Sequence, residues 1–359
     1  MYSKINANII KNKSINTELE LRISYLSNIG SLLESYLSNR SNQSTKKLNE
    51  AVIEAEKHNP WFTKENILNS LHYWKEKLET SNLEKWISNY KGISTVSKIA
   101  IIMAGNFPLA GFHDLISVII SGNIAVVKPS NDDKILINFF INYLHNNFSE
   151  TKNKAYINDG KLIDFDKVIA TGSNNTFKYF EYYFREKESL LRKNRTSIAV
   201  LSGKETDDEL SKLSDDIFIY FGLGCRNVSK IFIPVGFDLS LLTKSFAKYK
   251  DLINHHRYSN NYNYQKTIKI MNNEAFVDGG FFILSESKLY APPISVIYFD
   301  YYQNIDDVEN LIKTNSHRIQ CVVSVANIGN SINLGESQNP NLNQYADDID
   351  TLNFLLTSS

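Results

Sequence analysis

Residues 98–103 read KIAIIM, an apolar run with no polar alternation. A strand with one wet face alternates. A strand without alternation is buried on both faces, as in a parallel sheet covered by helices. The residues that follow constrain the connection. Ala104-Gly105-Asn106-Phe107-Pro108 reads as a turn, and Pro108 suits the first position of a helix running to about Ile120. Ser121-Gly122 ends that helix. Ile124–Val127 is a second buried strand, closed by Lys128-Pro129-Ser130. Strand, helix and strand in this order make a βαβ unit of the kind that builds nucleotide-binding sheets.

The pattern continues with a helix from about Asp133 to Leu144 and a strand over Asp166–Thr171. A Gly172–Asn175 turn follows, then a helix to about Phe184 and a fourth strand at Ser197–Leu201. After Gly203 the alternation restarts. A helix spans about Thr206–Tyr220, then comes a loop holding Cys225, then the strand Lys230–Pro234. Further helices are expected near Leu239–Ala247, Tyr264–Met271 and Asp306–Thr314. Further strands are expected at Gly280–Leu284, Ile294–Phe299 and Ile319–Val325. Ahead of the first strand, residues to about Tyr90 read as helical. Leu19–Tyr36 and Lys47–Lys57 carry apolar residues at spacings of three and four, and Thr63 can cap a helix bearing Ile67, Leu71 and Trp74. Trp86 and Tyr90 read as packing aromatics.

Composition excludes several function classes. Lysine plus arginine balance aspartate plus glutamate at 39 each, which argues against a broad nucleic-acid footprint or a basic membrane face. Two cysteines, far apart in sequence, give neither a disulfide framework nor zinc-ligand spacing. His255-His256 has no carboxylate or cysteine at ligand spacing, so no metal is expected. No apolar run has the length of a signal peptide or a bilayer span, so a cytoplasmic protein without a membrane span is expected. No G-x-G-x-x-G follows any strand; Gly222-Leu223-Gly224 follows a helix instead. A lone cysteine is ordinarily a small buried hydrophobe. Cys225 differs in lying in a glycine-containing loop before a strand, where a thiol can serve as a nucleophile.

An ordered set of motifs resembles the aldehyde dehydrogenase superfamily. It comprises Asn106-Phe107-Pro108, Gly122-Asn123, Lys128-Pro129-Ser130, Thr171-Gly172-Ser173, Leu201-Ser202-Gly203-Lys204, and Gly222–Cys225 just before a strand. The segments GNFPLAGFHDLISVIISGN, RKNRTSIAVLSG, YFGLGCRNVSK and QYADDIDTLNFL are similar, more narrowly, to LuxC-type acyl-CoA reductases. The resemblance implies an α/β fold, aldehyde dehydrogenase-like, with two Rossmann-like α/β domains and a helical N-terminal region. Residues 1–95 would be that region, 96–202 the nucleotide-cofactor domain and 203–325 the catalytic domain. Residues 326–359 would form a tail returning toward the cofactor domain.

The implied reaction is reduction of a fatty acyl thioester to an aldehyde. Cys225 would be the nucleophile that becomes acyl-cysteine, and Asn106 with the Cys225 backbone N–H would donate to the oxyanion. Lys128, Ser130, Gly172 and Ser173 would bind the cofactor. Relatives that prefer NAD carry a glutamate at the position of Asn131. An amide there would not repel a 2′-phosphate, so NADPH is expected, with NADH as the alternative. Val200 stands where hydrolytic relatives carry a water-activating glutamate, which favours reduction over acid formation. A Val200→Glu protein is therefore expected to leak fatty acid. His113 is expected to pack, Cys321 to be a strand core thiol, and Arg226 is a neighbour able to lower the Cys225 pKa. The implied partners are acyl-CoA or an acyl-protein thioester, an acyl-transferring protein and a second copy in a homo-oligomer, with no nucleic acid. Two other readings stay open: an acyl-phosphate reductase of the same superfamily, and a non-catalytic acyl-carrying or docking subunit.

Overall fold

The structure, a computed structural model, describes residues 2–90, 95–326 and 328–357, with side chains from residue 17 onward and residue 174 excepted. These form two units, Met1–Lys193 with Asn341–Ser359, and Asn194–Pro340. The first begins with α1 (Tyr2–Leu37), α2 (Gln43–His58), α3 (Lys64–Lys77) and α4 (Thr80–Ile87). Asn42 and Thr45 make a reciprocal capping box on α2, and Thr63 accepts the Asn66 amide at the start of α3. Ile67, Leu71 and Trp74 then point into the core, where Trp74 meets Phe112 edge-on at 5.0 Å.

The sheet of this unit contains β1 (Lys98–Ile102), β2 (Ile124–Lys128), β3 (Ala155–Ile157), β4 (Lys167–Thr171) and β5 (Glu188–Arg192). Its order is β3-β2-β1-β4-β5, parallel throughout. Ile99 and Ile101 join one hydrophobic cluster and Ala100 another, so β1 is buried on both faces. The connecting helices are α5 (Phe112–Ser121), α6 (Lys134–Asn147) and α7 (Asn174–Tyr183). The chain builds outward from β1 to β3, then crosses back to place β4 and β5 on the other side. The reversal falls between β1 and β4, and open α/β sheets bind ligands at the carboxyl ends flanking such a point.

Three local features differ from the sequence reading. α5 begins at Phe112 and not at Pro108, because Leu109 takes a left-handed φ of 61° that interrupts the helix. β3 and β5 lack the long apolar run that marks a buried strand. They sit at the two sheet edges, where one flank needs no strand partner.

The second unit contains β6 (Thr196–Val200), α8 (Asp207–Phe218), β7 (Val228–Pro234), α9 (Ser240–Ser245), α10 (His256–Met271), β8 (Val277–Asp278), β9 (Ile283–Glu286), β10 (Val296–Tyr302), α11 (Ile305–Thr314) and β11 (Ile319–Val323). The sheet order is β11-β6-β7-β10-β9-β8, parallel except between β8 and β9. β6, grouped by the sequence reading with the first series of strands, hydrogen-bonds to β7 and β11. α10 starts eight residues earlier than its apolar pattern suggests. His255 caps it by accepting the Tyr258 amide, and buried Tyr258 and Tyr262 supply the missing apolar face.

The tail ends in α12 (Thr351–Leu356) and belongs to the first unit. Polar groups dock it. The Arg192 guanidinium donates to both Asp114 carboxylate oxygens at 2.7 Å and to Thr351 Oγ1 at 2.8 Å. Asn123 Nδ2 donates to the Leu355 carbonyl at 3.0 Å, and Trp86 Nε1 donates to Tyr345 Oη at 2.8 Å. His113 packs beside Trp86 and Tyr345, with Nε2 2.9 Å from the Leu342 carbonyl oxygen. Its ring therefore helps seat the tail.

Candidate active site

Five of the six candidate residues lie at the carboxyl edge of the first sheet. Asn106 follows β1, Lys128 ends β2 with Ser130 beyond it, and Gly172 and Ser173 follow β4. β1 lies between β2 and β4, so the three turns are neighbours. Asn106 is exposed on its turn. Half-buried Lys128 donates to the Gly160 carbonyl at 3.3 Å, which holds its stem along the edge. Ser130 Oγ accepts the Asp132 amide at 3.3 Å, and His58 Nε2 donates to the Asn131 carbonyl at 2.7 Å. Ser173 caps α7 by accepting the Thr176 amide at 3.2 Å. At Gly172 a Cβ would lie 2.9 Å from Phe180 and 3.1 Å from Thr176, so the missing side chain lets α7 pack against the end of β4.

The sixth candidate, Cys225, belongs to the second unit, in the loop between α8 and β7. That loop opens with three consecutive left-handed residues, Tyr220 (φ 57°), Phe221 (58°) and Gly222 (73°). Glycine tolerates this conformation, whereas a residue with a Cβ loses roughly 1–2 kcal/mol. Burial of Tyr220 and Phe221 offsets the strain, and Phe221 lies against the His255 ring at 4.5 Å between centroids.

Buried Asn227 holds the loop from the other end. Its Nδ2 donates to the carbonyls of Asp216, Ile217 and Ile219 at 3.1, 3.2 and 2.8 Å, which closes the end of α8. Its Oδ1 accepts the Gly224 amide at 2.8 Å. Ser197 Oγ donates to the Cys225 carbonyl at 3.0 Å. The Cys225 thiol is thus half-buried on a backbone fixed from both sides. The sequence reading missed Asn227; its only signal was an amide side chain between a glycine loop and a buried strand. Asn227→Ala is expected to cost about 1–3 kcal/mol of stability, because the Gly224 amide and helix-end carbonyls lose their partner. Denaturant unfolding tests that cost, and the alkylation rate of Cys225 reports whether the loop has loosened.

Cys321 lies on β11, its Sγ 3.0 Å from Ser197 Oγ. Burial pushes this thiol's pKa up, while charge attraction and a hydrogen bond from Arg226 oppose the shift. Arg226 therefore engages Cys321, the thiol on β11.

Val200 is wholly buried and packs with Ile198, Phe232, Val308, Ile319 and Ile328. This changes the expectation for Val200→Glu. A carboxylate there would sit in the apolar core of the unit, so the substitution is expected to cost about 3–5 kcal/mol of stability. Thermal unfolding of the variant checks this, and fatty-acid leakage is no longer its expected result. The nearby Glu205 carboxylate already accepts the Ser202 and Gly203 amides, at 2.5 and 2.9 Å.

Among the described residues, no group of three or more His, Cys, Asp or Glu side chains could hold a metal ion, and no helix is long and apolar enough to cross a membrane. Two α/β units, one with its sheet reversal between β1 and β4 and the other a mixed sheet with a cysteine loop ahead of a strand, make the aldehyde dehydrogenase fold. An aldehyde dehydrogenase 21 from Physcomitrella patens, solved with the reaction product succinate, superposes with a TM-score of 0.66 at 11% identity, over 96% of this chain and 89% of that one. A P. syringae indole-3-acetaldehyde dehydrogenase, solved with NAD+ and IAA, superposes at 0.60 and 12% identity, over 86% and 72%. Substrate-bound Staphylococcus aureus AldH gives 0.55 and 17%, over 91% and 81%. No curated protein matches the chain. The family model for LuxC acyl-CoA reductase matches residues 23–321, and the chain belongs to that family. Family and fold together make it an oxidoreductase acting on aldehyde or acyl groups.

Proposed function

We propose that the protein reduces a fatty acyl thioester to the aldehyde through an acyl-Cys225 intermediate, with NADPH as the reductant and NADH as the alternative. The acyl donor is acyl-CoA or an acyl group carried by a partner protein. The observation that carries the reading is Cys225 itself: a half-buried thiol on a loop pinned by Asn227 and Ser197, where a core thiol would lie inside a regular element.

A nicotinamide cofactor fits the first sheet on two grounds. The strand order places a reversal between β1 and β4, and Lys128, Ser130 and Ser173 put an ammonium and two hydroxyls on the turns along the same carboxyl edge. These residues would hold it, with Gly172 shaping the turn. An amide at Asn131 leaves a 2′-phosphate unopposed. When bound, the reduced cofactor supplies hydride to the acyl carbonyl.

The chain's own residues do the rest. The Cys225 thiolate adds to the thioester carbonyl, the C–S bond to the donor breaks, and the departing thiolate takes up a proton. Asn106 Nδ2 and the Cys225 N–H donate to the oxyanion. After reduction, the Cys225 C–S bond breaks and the aldehyde leaves. Buried Val200 keeps a water-activating carboxylate away from its position on β6. The test is turnover with a panel of acyl-CoAs, comparing NADPH with NADH. The expected result is aldehyde formation with preference for NADPH. Acylation of Cys225 without cofactor consumption would replace this reading with an acyl-carrying subunit.

A further inference from the structure

We infer that Asp133 is a positioning residue that holds the turn of Asn106 against the turn of Lys128 and Ser130. The inference rests on the proposed reading of Asn106 as the oxyanion donor.

Asp133 occupies the N-cap position of α6, 2% exposed, yet makes no capping bond to its own helix. An aspartate there ordinarily accepts an amide from the first turn of that helix. Asp133 turns away: its Oδ2 accepts the Leu109 amide at 2.8 Å. Leu109 is the left-handed residue that separates the Asn106 turn from α5. Leucine does not favour this conformation, so a fixed acceptor for its N–H is what holds the turn in shape.

Two further contacts tie the same segments together. The Met103 amide donates to the Lys128 carbonyl at 3.1 Å. A Cβ on Gly105 would lie 2.5 Å from Ser130 Cβ and Oγ, so Gly105 and Ser130 can touch only because position 105 has no side chain. Residues 103–109 are thus fastened to 128–133 at their start, middle and end. Ser70 Oγ adds a brace from α3 to the Pro108 carbonyl, at 2.7 Å. The turn carrying the proposed oxyanion donor and the turn proposed to meet the cofactor form one clamped piece, with Asp133 as the side-chain acceptor for Leu109. Burial, with the charge of Asp132 adding to it, pushes the Asp133 carboxyl well above its ordinary range. Its other oxygen, Oδ1, has no partner among the described residues. The carboxyl oxygen accepts whatever its protonation state, and so does the side-chain oxygen of an asparagine.

The experiment compares Asp133→Asn, which keeps an acceptor, with Asp133→Ala and Asp133→Leu, which do not. The leucine variant keeps the volume filled should the alanine variant fail to fold. Each is assayed in the full chain with acyl-CoA and NADPH, alone and combined with Asn106→Ala. Loss of the acceptor is expected to lower kcat about 10- to 100-fold while each KM shifts far less, since the turn is misplaced and the binding groups remain. Asp133→Asn is expected to stay within about threefold of the parent, and Asp133→Leu to add less than about threefold to the loss already caused by Asn106→Ala. Losses that multiply in the double variant, or an unchanged kcat in Asp133→Leu, would overturn the inference. If Asn106→Ala itself retains full kcat, the oxyanion reading falls first and the inference falls with it.

Discussion

Cys225→Ala is expected to abolish aldehyde formation from acyl-CoA, with a loss of at least about 10⁴-fold in kcat, the scale seen when a covalent nucleophile is removed. Reduction as proposed runs through a thioester to this sulfur. Cys321 is the obvious competitor and makes the informative control. Burial raises its pKa, which lowers its thiolate fraction, and it sits within β11. Cys321→Ala is therefore expected to keep most activity. Alanine at 225 leaves the backbone bonds of the loop in place, since Ser197 holds the Cys225 carbonyl and Asn227 the Gly224 amide. A loss of activity without a loss of stability would then report on chemistry alone. Aldehyde formation that survives in Cys225→Ala would sink the nucleophile assignment.

Asn106→Ala carries the second largest expected effect, about 10²–10³-fold in kcat, the usual result of removing one oxyanion donor. Asn106 is exposed, so its truncation opens no cavity. KM for acyl-CoA should move little, because the bond strengthens as charge builds on the oxygen and is weak to the ground-state carbonyl. In the proposed mechanism both carbonyl additions use that donor, so acylation and reduction should slow together. A large KM change with kcat preserved would instead make Asn106 a ground-state binding residue.

The architecture was largely legible in the chain because its central strands are buried on both faces. KIAIIM and IAVVK can be little else, and the glycine and asparagine turns between them mark the connections. Edge strands leave a weaker trace: ESLLR opens polar and AYI is three residues long. A helix start can likewise be displaced by one residue's backbone. Proline suggested Pro108, but Leu109 turns left-handed, its amide held by a carboxyl group 24 residues away. Of the candidate site, the residues proposed to carry chemistry are recognisable by type and order. Those that hold them, Asn227 and Asp133, were not, because their partners are backbone groups that only the folded chain brings near. Val200 was legible as a missing glutamate, but its burial, which decides what a glutamate would do there, was not.

The central claim is that Cys225 takes an acyl group and releases it as aldehyde only when reductant is supplied. Mass spectrometry of the intact protein tests this in one sample, first with acyl-CoA alone and then after adding NADPH. The account predicts one acyl group per chain, on the peptide containing Cys225, which disappears on addition of NADPH as one equivalent of aldehyde appears. An adduct on a different residue, or aldehyde formed once NADPH is added although no acyl-Cys225 accumulated before it, would contradict it.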